Sequence, residues 1–220
     1  MITLSFDTSM SACSAAIHND SKRISNFYKE IKHGQSELII PAIQDLLNSS
    51  NIGYPDIDKL GVTVGPGSFT GIRVAVATAR AIKLATNIEC IAFTTTSVIA
   101  REALLESNKS PKPIAVVVDA RREEIFFQRF DKLGMPIERP SCILPKDAYK
   151  KIKNVEHFLI GDRIETLIPY LKYTPEYKKI ISPSMDVLSS MIVKYKPLGV
   201  DLKPTYIRAP DAKKNNEIDL

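Results

Sequence analysis

An apolar strand pattern that ends on an aspartate occurs twice in this chain. Residues Ile2–Asp7 alternate apolar and polar side chains up to the acid, and Ile114–Asp119 form a second apolar run that also ends on an acid. Each run is followed by further strand patterns and then by alternating helix and strand patterns. We therefore predict an α/β chain in which one fold is present as two degenerate copies, each a mixed five-stranded sheet flanked by helices.

The order of the remaining patterns specifies the topology of each copy. In the first half, strands are predicted at 2–7, 14–18, 23–29, 59–64 and 88–93, and helices at 38–47, 72–85 and 94–106. In the second half, strands are predicted at 114–119, 125–131, 140–144, 157–160 and 179–181, and helices at 146–152, 164–171 and 187–193. Ser36 is the expected cap of the first helix, and Ser68 or Thr70 of the second. Right-handed crossovers join such elements into the ribonuclease-H-like topology, which is doubled in the actin-like (ASKHA) class.

A segment with two prolines and no apolar period, residues 107–113, separates the two copies. We place the first ribonuclease-H-like subdomain at 1–108 and the degenerate second one at 109–208. Residues 209–220 are then a C-terminal tail.

Composition excludes several classes of protein. The 220 residues are 44% hydrophobic and 25% charged, which is enough for a sizeable core, and no apolar run of about eighteen residues is present. The first seven residues reach an acid without a basic and then apolar leader, so we expect a cytoplasmic protein with no membrane contact. Cys13, Cys90 and Cys142 are odd in number and far apart, which favours reduced thiols.

The histidines argue against a metal site. His18, His33 and His157 include no pair at the three-residue gap that places two imidazoles on one helical face. His33 and Glu37 are four residues apart and could supply two ligands, but no third ligand is visible in the sequence. We therefore predict no metal centre.

The net charge of +5 is unevenly distributed. Residues 1–110 carry ten basic and ten acidic side chains, whereas residues 111–220 carry twenty and fifteen, so the whole excess lies in the second half. A solvated lysine-rich surface and a surface that faces a polyanion are both compatible with this composition.

A glycine-rich loop lies between a predicted strand and a predicted helix. Its residues are Gly65, Pro66, Gly67, Ser68, Phe69, Thr70 and Gly71, followed by Ile72 and Arg73. Such a loop can present free amides to an anion, or can be a tight turn whose glycines allow close packing. It matches neither the Walker loop nor the dinucleotide pattern, and Ser68 lacks the spacing of a hydrolase nucleophile.

The two strand-end aspartates occupy the places where actin-like ATPases clamp phosphate. An aspartate followed closely by glycine lets the backbone approach the nucleotide, but Asp7-Thr8-Ser9-Met10 and Asp119-Ala120-Arg121-Arg122 contain no glycine. The nucleotide site therefore looks vestigial. Asp7 and Asp119 could still hold magnesium, or could bind local backbone amides.

Five short motifs extend over nearly the whole chain. They are Asp7-Thr8-Ser9, the helix at 33–47 with Ser36-Glu37-Leu38, the loop from Gly65 to Arg73, Asp119-Ala120-Arg121 with Glu124, and Pro204-Thr205-Tyr206-Ile207-Arg208. Together they resemble the TsaB family, also called YeaZ. The long glycine loop is the specific motif, and residues 132–203 contribute little to the resemblance.

The resemblance implies a small, non-catalytic subunit of the bacterial complex that forms N6-threonylcarbamoyladenosine next to the anticodon of tRNAs. Catalysis would belong to a larger paralogue, TsaD, whose metal-binding histidine pair is absent here. The resemblance also implies a transient contact with the ATPase TsaE, a homodimer when the chain is alone, and tRNA contact through the assembled complex. It implies no cofactor, although a nucleotide at the junction with TsaD remains open.

The resemblance further implies that the first two helices of the first half form the dimer surface. A physical reason is that the helix at 72–85 is apolar almost all round, so its sheet-facing side cannot use every apolar position. The interface residues expected on this basis are Leu38, Ile39, Ala42, Ile43, Leu46, Ile72, Ala75, Val76, Ala79 and Ile82.

Two other functions remain open at this point. A nucleotide-hydrolysing enzyme of the actin-like fold would use Asp7 and Asp119 to hold magnesium and would bind ATP as an isolated chain. Direct tRNA contact by the basic second half would give salt-dependent binding, but no platform of aromatic and basic residues is apparent in the sequence. Arg121, Glu124 and Arg208 could be functional or could form a structural ion-pair network.

Overall fold

Two five-stranded mixed sheets form the frame of the protein. The computed structural model of the chain describes residues 1–106, 112–194 and 201–207. The first sheet contains β1 (Ile2–Asp7), β2 (Ala12–Asn19), β3 (Lys22–Glu30), β4 (Lys59–Thr63) and β5 (Glu89–Phe93). The second contains β6 (Ile114–Asp119), β7 (Ile125–Phe130), β8 (Ser141–Ile143), β9 (Phe158–Gly161) and β10 (Tyr177–Lys179). The helices are α1 (Gln35–Ser50), α2 (Phe69–Thr86), α3 (Thr95–Glu106), α4 (Pro145–Ile152) and α5 (Met185–Lys194).

The two sheets have the same topology, which confirms the predicted duplication. Their strand orders are β3-β2-β1-β4-β5 and, read from the corresponding edge, β8-β7-β6-β9-β10. In each sheet an antiparallel three-stranded meander is extended by two parallel strands, and β1 and β6 are the central strands. The fold is thus the duplicated ribonuclease-H-like, actin-like α/β fold.

Helices cover both faces of the first sheet, and the residues of its central strand β1 are therefore buried on both sides. Leu4 and Phe6 are fully buried in a core formed with the apolar stripes of α1 and α2. On the opposite face, Thr3 Oγ1 lies 2.7 Å from Ser189 Oγ of α5, and apolar residues of β2 and β5 pack against the same helix. A strand whose successive residues are buried on both faces of the sheet is typical of the centre of a covered sheet.

One helix from each half packs on the sheet of the other half, and the domain limits at 1–108 and 109–208 stay a prediction. Helix α3, from the first half, packs on β6 and β9 of the second sheet. Helix α5, which follows the last strand of the second half, packs on β1, β2 and β4 of the first sheet. The core of the second sheet thus includes residues of α3, and the core of the first sheet includes residues of α5. Most of the predicted linker, Arg208 and the tail at 209–220 lie outside the described residues.

Three local predictions also differ from the structure. Helix α1 is preceded by Gly34 in a left-handed conformation with φ of 90°, and Ser36 lies inside its first turn. The helix predicted at 164–171 is two short 3₁₀ turns, Ile164–Thr166 and Ile168–Tyr170, because Pro169 has no amide hydrogen to continue a helix. The last strand lies at Tyr177–Lys179, two residues before its predicted position. None of the helices in the described ranges is long and apolar enough to cross a lipid bilayer.

Candidate functional site at the glycine-rich loop and helix α2

The glycine-rich loop is packed directly on the backbone that follows β1. Ser68 caps α2 and accepts a hydrogen bond from the Gly71 amide at 3.4 Å, while its own amide donates to the Ser9 carbonyl at 2.7 Å. Thr8 Oγ1 donates to the Gly71 carbonyl at 2.6 Å. A Cβ atom on Gly67 would overlap the Ser9 carbonyl oxygen, and one on Gly71 would overlap that of Thr8. The glycines thus serve close backbone packing, which is one of the two alternatives left open by the sequence.

This packing closes the first of the two phosphate clamps. Asp7 is fully buried, and its Oδ1 accepts hydrogen bonds from Ser9 Oγ at 2.5 Å and from the Thr63 hydroxyl. Thr95 Oγ1 donates in turn to Ser9 Oγ at 3.0 Å, and Asp7 Oδ2 has no partner among the described residues. Burial raises the pKa of Asp7 above its usual value, against the opposing effect of these hydrogen bonds. Among the described residues, the Asp7 carboxyl group therefore has no exposed surface that a phosphate or a magnesium ion could contact.

The corresponding aspartate of the second half is more open and differently paired. Asp119 Oδ1 accepts a hydrogen bond from the Arg121 amide at 3.0 Å and lies 3.6 Å from Arg163 Nε. The Asp119 amide donates to Asp162 Oδ1 at 2.8 Å. Burial, and to a lesser degree the nearby Asp119 charge, raise the pKa of Asp162 to about 6. Two carboxyl groups and a guanidinium thus form a local network at the ends of β6 and β9.

The network does not extend to a larger set of metal ligands. Within the ranges 1–106, 112–194 and 201–207, no three His, Cys, Asp or Glu side chains are grouped so that they could hold a metal ion. His33 and Glu37 are exposed at the start of α1.

The predicted interface side chains are mostly part of the core of the chain itself. Nine of the ten are buried against the first sheet or the neighbouring helix, and only Leu38 is partly exposed. The nine are Ile39, Ala42, Ile43, Leu46, Ile72, Ala75, Val76, Ala79 and Ile82. In the folded chain these nine side chains are turned towards the sheet and leave almost no surface for a partner, whereas the dimer surface on these two helices stays a prediction.

Other apolar side chains of the same helices do face the solvent. Ile40 of α1 is 49% exposed and Leu84 of α2 is 90% exposed. Ala77 and Ala81 of α2 are also exposed, and Val74 is partly exposed. We call Ile40, Val74, Ala77, Ala81 and Leu84 the outer apolar face.

A C-terminal segment, residues 201–207, lies along α2, and we call it the C-terminal strap. The Thr205 amide donates to the Val64 carbonyl at 2.8 Å, which ties the strap to the end of β4. Arg80 Nε donates to the Leu202 carbonyl at 2.9 Å, and Arg73 Nε to Tyr206 Oη at 2.7 Å. Apolar periodicity did not predict this contact. In the sequence, the strap was noted only because residues 204–207 belong to one of the motifs that resemble the TsaB family.

The strap adds an aromatic ring and a shallow depression to the surface of α2. The rings of Tyr206 and Phe69 lie 5.3 Å apart, and the Arg73 guanidinium carbon lies 3.7 Å from the centre of the Phe69 ring. Near the other end of the helix, a depression of about 430 Å³ is lined by Arg80, Lys83, Leu84, Asn87 and Leu202.

These features define a class of protein before any relative is considered. It is an actin-like fold in which the first phosphate clamp is sealed by a glycine-rich loop, and in which a helix beside that loop carries exposed apolar and cationic groups. A solved structure with the same fold is YeaZ from Pseudomonas aeruginosa. It has a TM-score of 0.76 and 20% sequence identity, and the match covers 93% of this chain and 99% of that one.

Sequence relatives narrow the class to one family. The family model described as "TsaD: tRNA N6-adenosine threonylcarbamoyltransferase" matches residues 29–181. The tRNA threonylcarbamoyladenosine biosynthesis protein TsaB of Haemophilus influenzae is 31% identical over 171 residues, which is 72% of this chain and 70% of that protein. The protein of the same name from Buchnera aphidicola subsp. Baizongia pistaciae is 31% identical over 143 residues, and this match spans 64% of either chain, just under two thirds. The chain belongs to the TsaB (YeaZ) family.

Proposed function

We propose that the chain is the scaffold and activating subunit of the complex that forms N6-threonylcarbamoyladenosine next to the anticodon of tRNAs. Its relatives are named for the biosynthesis of this nucleoside, and the matching family model is described as the threonylcarbamoyltransferase. In this proposal the chain works in the cytoplasm by pairing with a TsaD-type catalytic paralogue, and the ATPase TsaE contacts the pair transiently.

The observation that carries the non-catalytic role is the closed clamp at Asp7. The carboxyl group that an actin-like ATPase would turn towards metal and phosphate is fully buried here beneath the glycine-rich loop. A catalytic carboxylate must reach the reacting groups, either directly or through one water molecule. The chain therefore depends on its partner for chemistry.

The outer apolar face supports a partner surface on the same two helices that the sequence indicated. An exposed leucine such as Leu84 is unremarkable alone, but Val74, Ala77 and Ala81 lie three or four residues apart and so share one side of α2. Ile40 and the exposed Pro41 add apolar surface on α1, which packs beside α2. Small side chains allow two helices to approach closely, as at obligate interfaces. A TsaD-type subunit, or a second copy of this chain, is the proposed occupant.

Depletion of the protein in its own cells tests the proposed function. We expect the N6-threonylcarbamoyladenosine content of bulk tRNA, measured by nucleoside mass spectrometry, to fall and to recover when the wild-type chain is restored. An unchanged content after depletion would refute the proposal.

The second candidate, a nucleotide-hydrolysing enzyme, is supported only by the more open second half. Asp119 and Asp162 supply two carboxyl groups at neighbouring strand ends, and Arg163 lies beside them. An actin-like nucleotide site also needs phosphate contacts from the first half, and the closed clamp at Asp7 does not offer them. The scaffold is therefore the better supported function.

A further inference from the structure

Two exposed aromatic rings and a guanidinium form one cluster at the N-terminal end of α2. Phe69 and Tyr206 are 48% and 46% exposed, and their ring planes are tilted by 32°. Arg73 stacks on Phe69 and is oriented by its hydrogen bond to Tyr206 Oη. Single exposed aromatic residues are common, but here three planar groups are held together while half of each ring remains in water. We call Phe69, Arg73 and Tyr206 the stacking cluster.

The surface beside the stacking cluster is positively charged. The 18 residues of α2 include Arg73, Arg80 and Lys83 and no acidic residue. The ion pairs of the described part of the chain involve none of these three cations. Arg80 lies two helical turns beyond Arg73, about 10 Å along the axis. The stacking cluster is thus followed, along one helix, by the cationic depression of Arg80 and Lys83.

Aromatic rings beside a positive groove are the combination with which proteins bind single-stranded nucleic acid. Bases stack on aromatic side chains and on guanidinium planes, and the phosphates are attracted to the groove. We propose that the stacking cluster and the depression bind a single-stranded RNA segment, with bases on Phe69 and Tyr206 and phosphates at Arg80 and Lys83. The identification of this RNA segment as part of a tRNA rests on the proposed function. The stacking site itself is inferred from the geometry and does not depend on that function.

This surface differs from the one that the sequence suggested. From the sequence, a direct RNA contact was considered only for the basic second half, and no platform of aromatic and basic residues for RNA was apparent. The fold creates one by placing Tyr206 of the strap beside α2. A second aromatic pair, Tyr149 and Tyr170 with ring centres 6.1 Å apart, lies at the lysine-rich α4 and is the competing site on this molecule.

Anisotropy of a short fluorescein-labelled single-stranded RNA, titrated with the full chain, tests the site. We expect Phe69→Ala and Tyr206→Ala each to weaken binding roughly 5- to 100-fold, the loss typical of one stacked base. Arg80→Gln should lower the slope of log affinity against log salt by about 0.7, the share of one phosphate contact on a single strand. Tyr28→Ala, which removes an equally exposed ring from β3, should leave the affinity unchanged.

Four results would overturn the proposal. One is unchanged RNA affinity in both alanine variants, with circular dichroism confirming that each is folded. Another is loss of binding in Lys146→Gln and Lys153→Gln, which would place the site at α4. A third is equal affinity for adenosine monophosphate and for the oligonucleotide, which would make the ligand a free nucleotide. The fourth is that Phe69→Ala abolishes co-elution with a TsaD-type subunit while RNA affinity stays the same, which would assign the cluster to the protein interface.

The same measurements separate this inference from the proposed function. If depletion leaves tRNA modification intact but Phe69→Ala still weakens RNA binding, the proposed function fails and the RNA site stands. If modification is lost on depletion and the variants bind RNA normally, only the inference fails.

Discussion

Two carboxyl groups at strand ends show how their surroundings change the chemistry of a residue. Asp7 is held by two hydroxyl groups inside the closed clamp, and Asp162 is buried beside Asp119. In both cases burial disfavours the charged form and raises the pKa. The folded chain therefore binds these protons more tightly than the unfolded chain. Their contribution to stability is fully present below about pH 4 and is lost as the pH rises through the folded pKa.

Asp162→Asn is expected to reduce this pH dependence. With a pKa of about 6 in place of 3.8, the wild type should lose up to about 3 kcal/mol of stability between pH 3 and pH 7 relative to the variant. The amide oxygen of the variant can still accept from the Asp119 backbone. Urea unfolding of both proteins across this range measures the difference, and parallel stability curves would contradict the expectation.

Gly71→Ala tests the closed clamp at the level of one atom. Helix propensity alone favours alanine over glycine by about 1 kcal/mol. The added methyl group would, however, overlap the Thr8 carbonyl oxygen. To make room, the backbone would have to shift within a packed core, which destabilises the fold by about 1–3 kcal/mol. We expect net destabilisation in chemical unfolding, whereas Gly53→Ala, whose Cβ would meet a proline side chain at 3.3 Å in an exposed turn, should have a small effect. A more stable Gly71→Ala protein would show that the loop is not tightly packed.

At the scale of the element, α2 has distinct sides. One packs on the first sheet, one carries the small residues of the outer apolar face, and one is covered in part by the C-terminal strap. The sequence predicted the helix and its excess of apolar residues. It did not predict which of them are buried, because α2 carries apolar residues beside its periodic stripe as well as within it, and the sequence does not mark which of these sides faces the sheet.

Leu84→Glu is the substitution that tests the outer apolar face. Leu84 is 90% exposed, so the variant should fold like the wild type, but a carboxylate at this position would lose its water on burial in a helix contact, even beside Arg80 and Lys83, and association should weaken by about 1–3 kcal/mol. Size-exclusion chromatography with a TsaD-type subunit measures this loss. The matched control is Leu133→Glu, which changes a 70% exposed leucine in the second half. Wild-type co-elution of Leu84→Glu would rule out this face, whereas Ala79→Glu would test only the core, since Ala79 is fully buried.

At the scale of the whole molecule, the exchange of helices couples the two halves. Helix α3 completes the second core and α5 completes the first, and Asp186 of α5 binds both His18 and Arg23 of the first sheet at 2.8 and 3.1 Å. An actin-like site needs phosphate contacts from both halves. Among the described residues the Asp7 clamp of the first half is closed, which supports the proposal that this chain is a non-catalytic subunit.

Calorimetry with ATP and magnesium tests this state of the whole chain. We expect no measurable heat of binding for the isolated protein, because the Asp7 carboxyl is covered by the glycine-rich loop. Micromolar affinity would instead restore the nucleotide-hydrolysing candidate. Asp119→Asn would then show whether the second half carries the binding.

The sequence by itself determined the duplicated α/β fold, most of its strands and helices, and the family, because apolar periodicity and short motifs are local properties of the chain. The tertiary structure decided which helix positions are buried and how Gly67 and Gly71 pack against the backbone of Ser9 and Thr8. It also decided that α3 packs on the second sheet and α5 on the first, and that the C-terminal strap completes the stacking cluster at Phe69. These features depend on contacts between residues far apart in sequence, and such contacts leave no periodic pattern in the segments that make them.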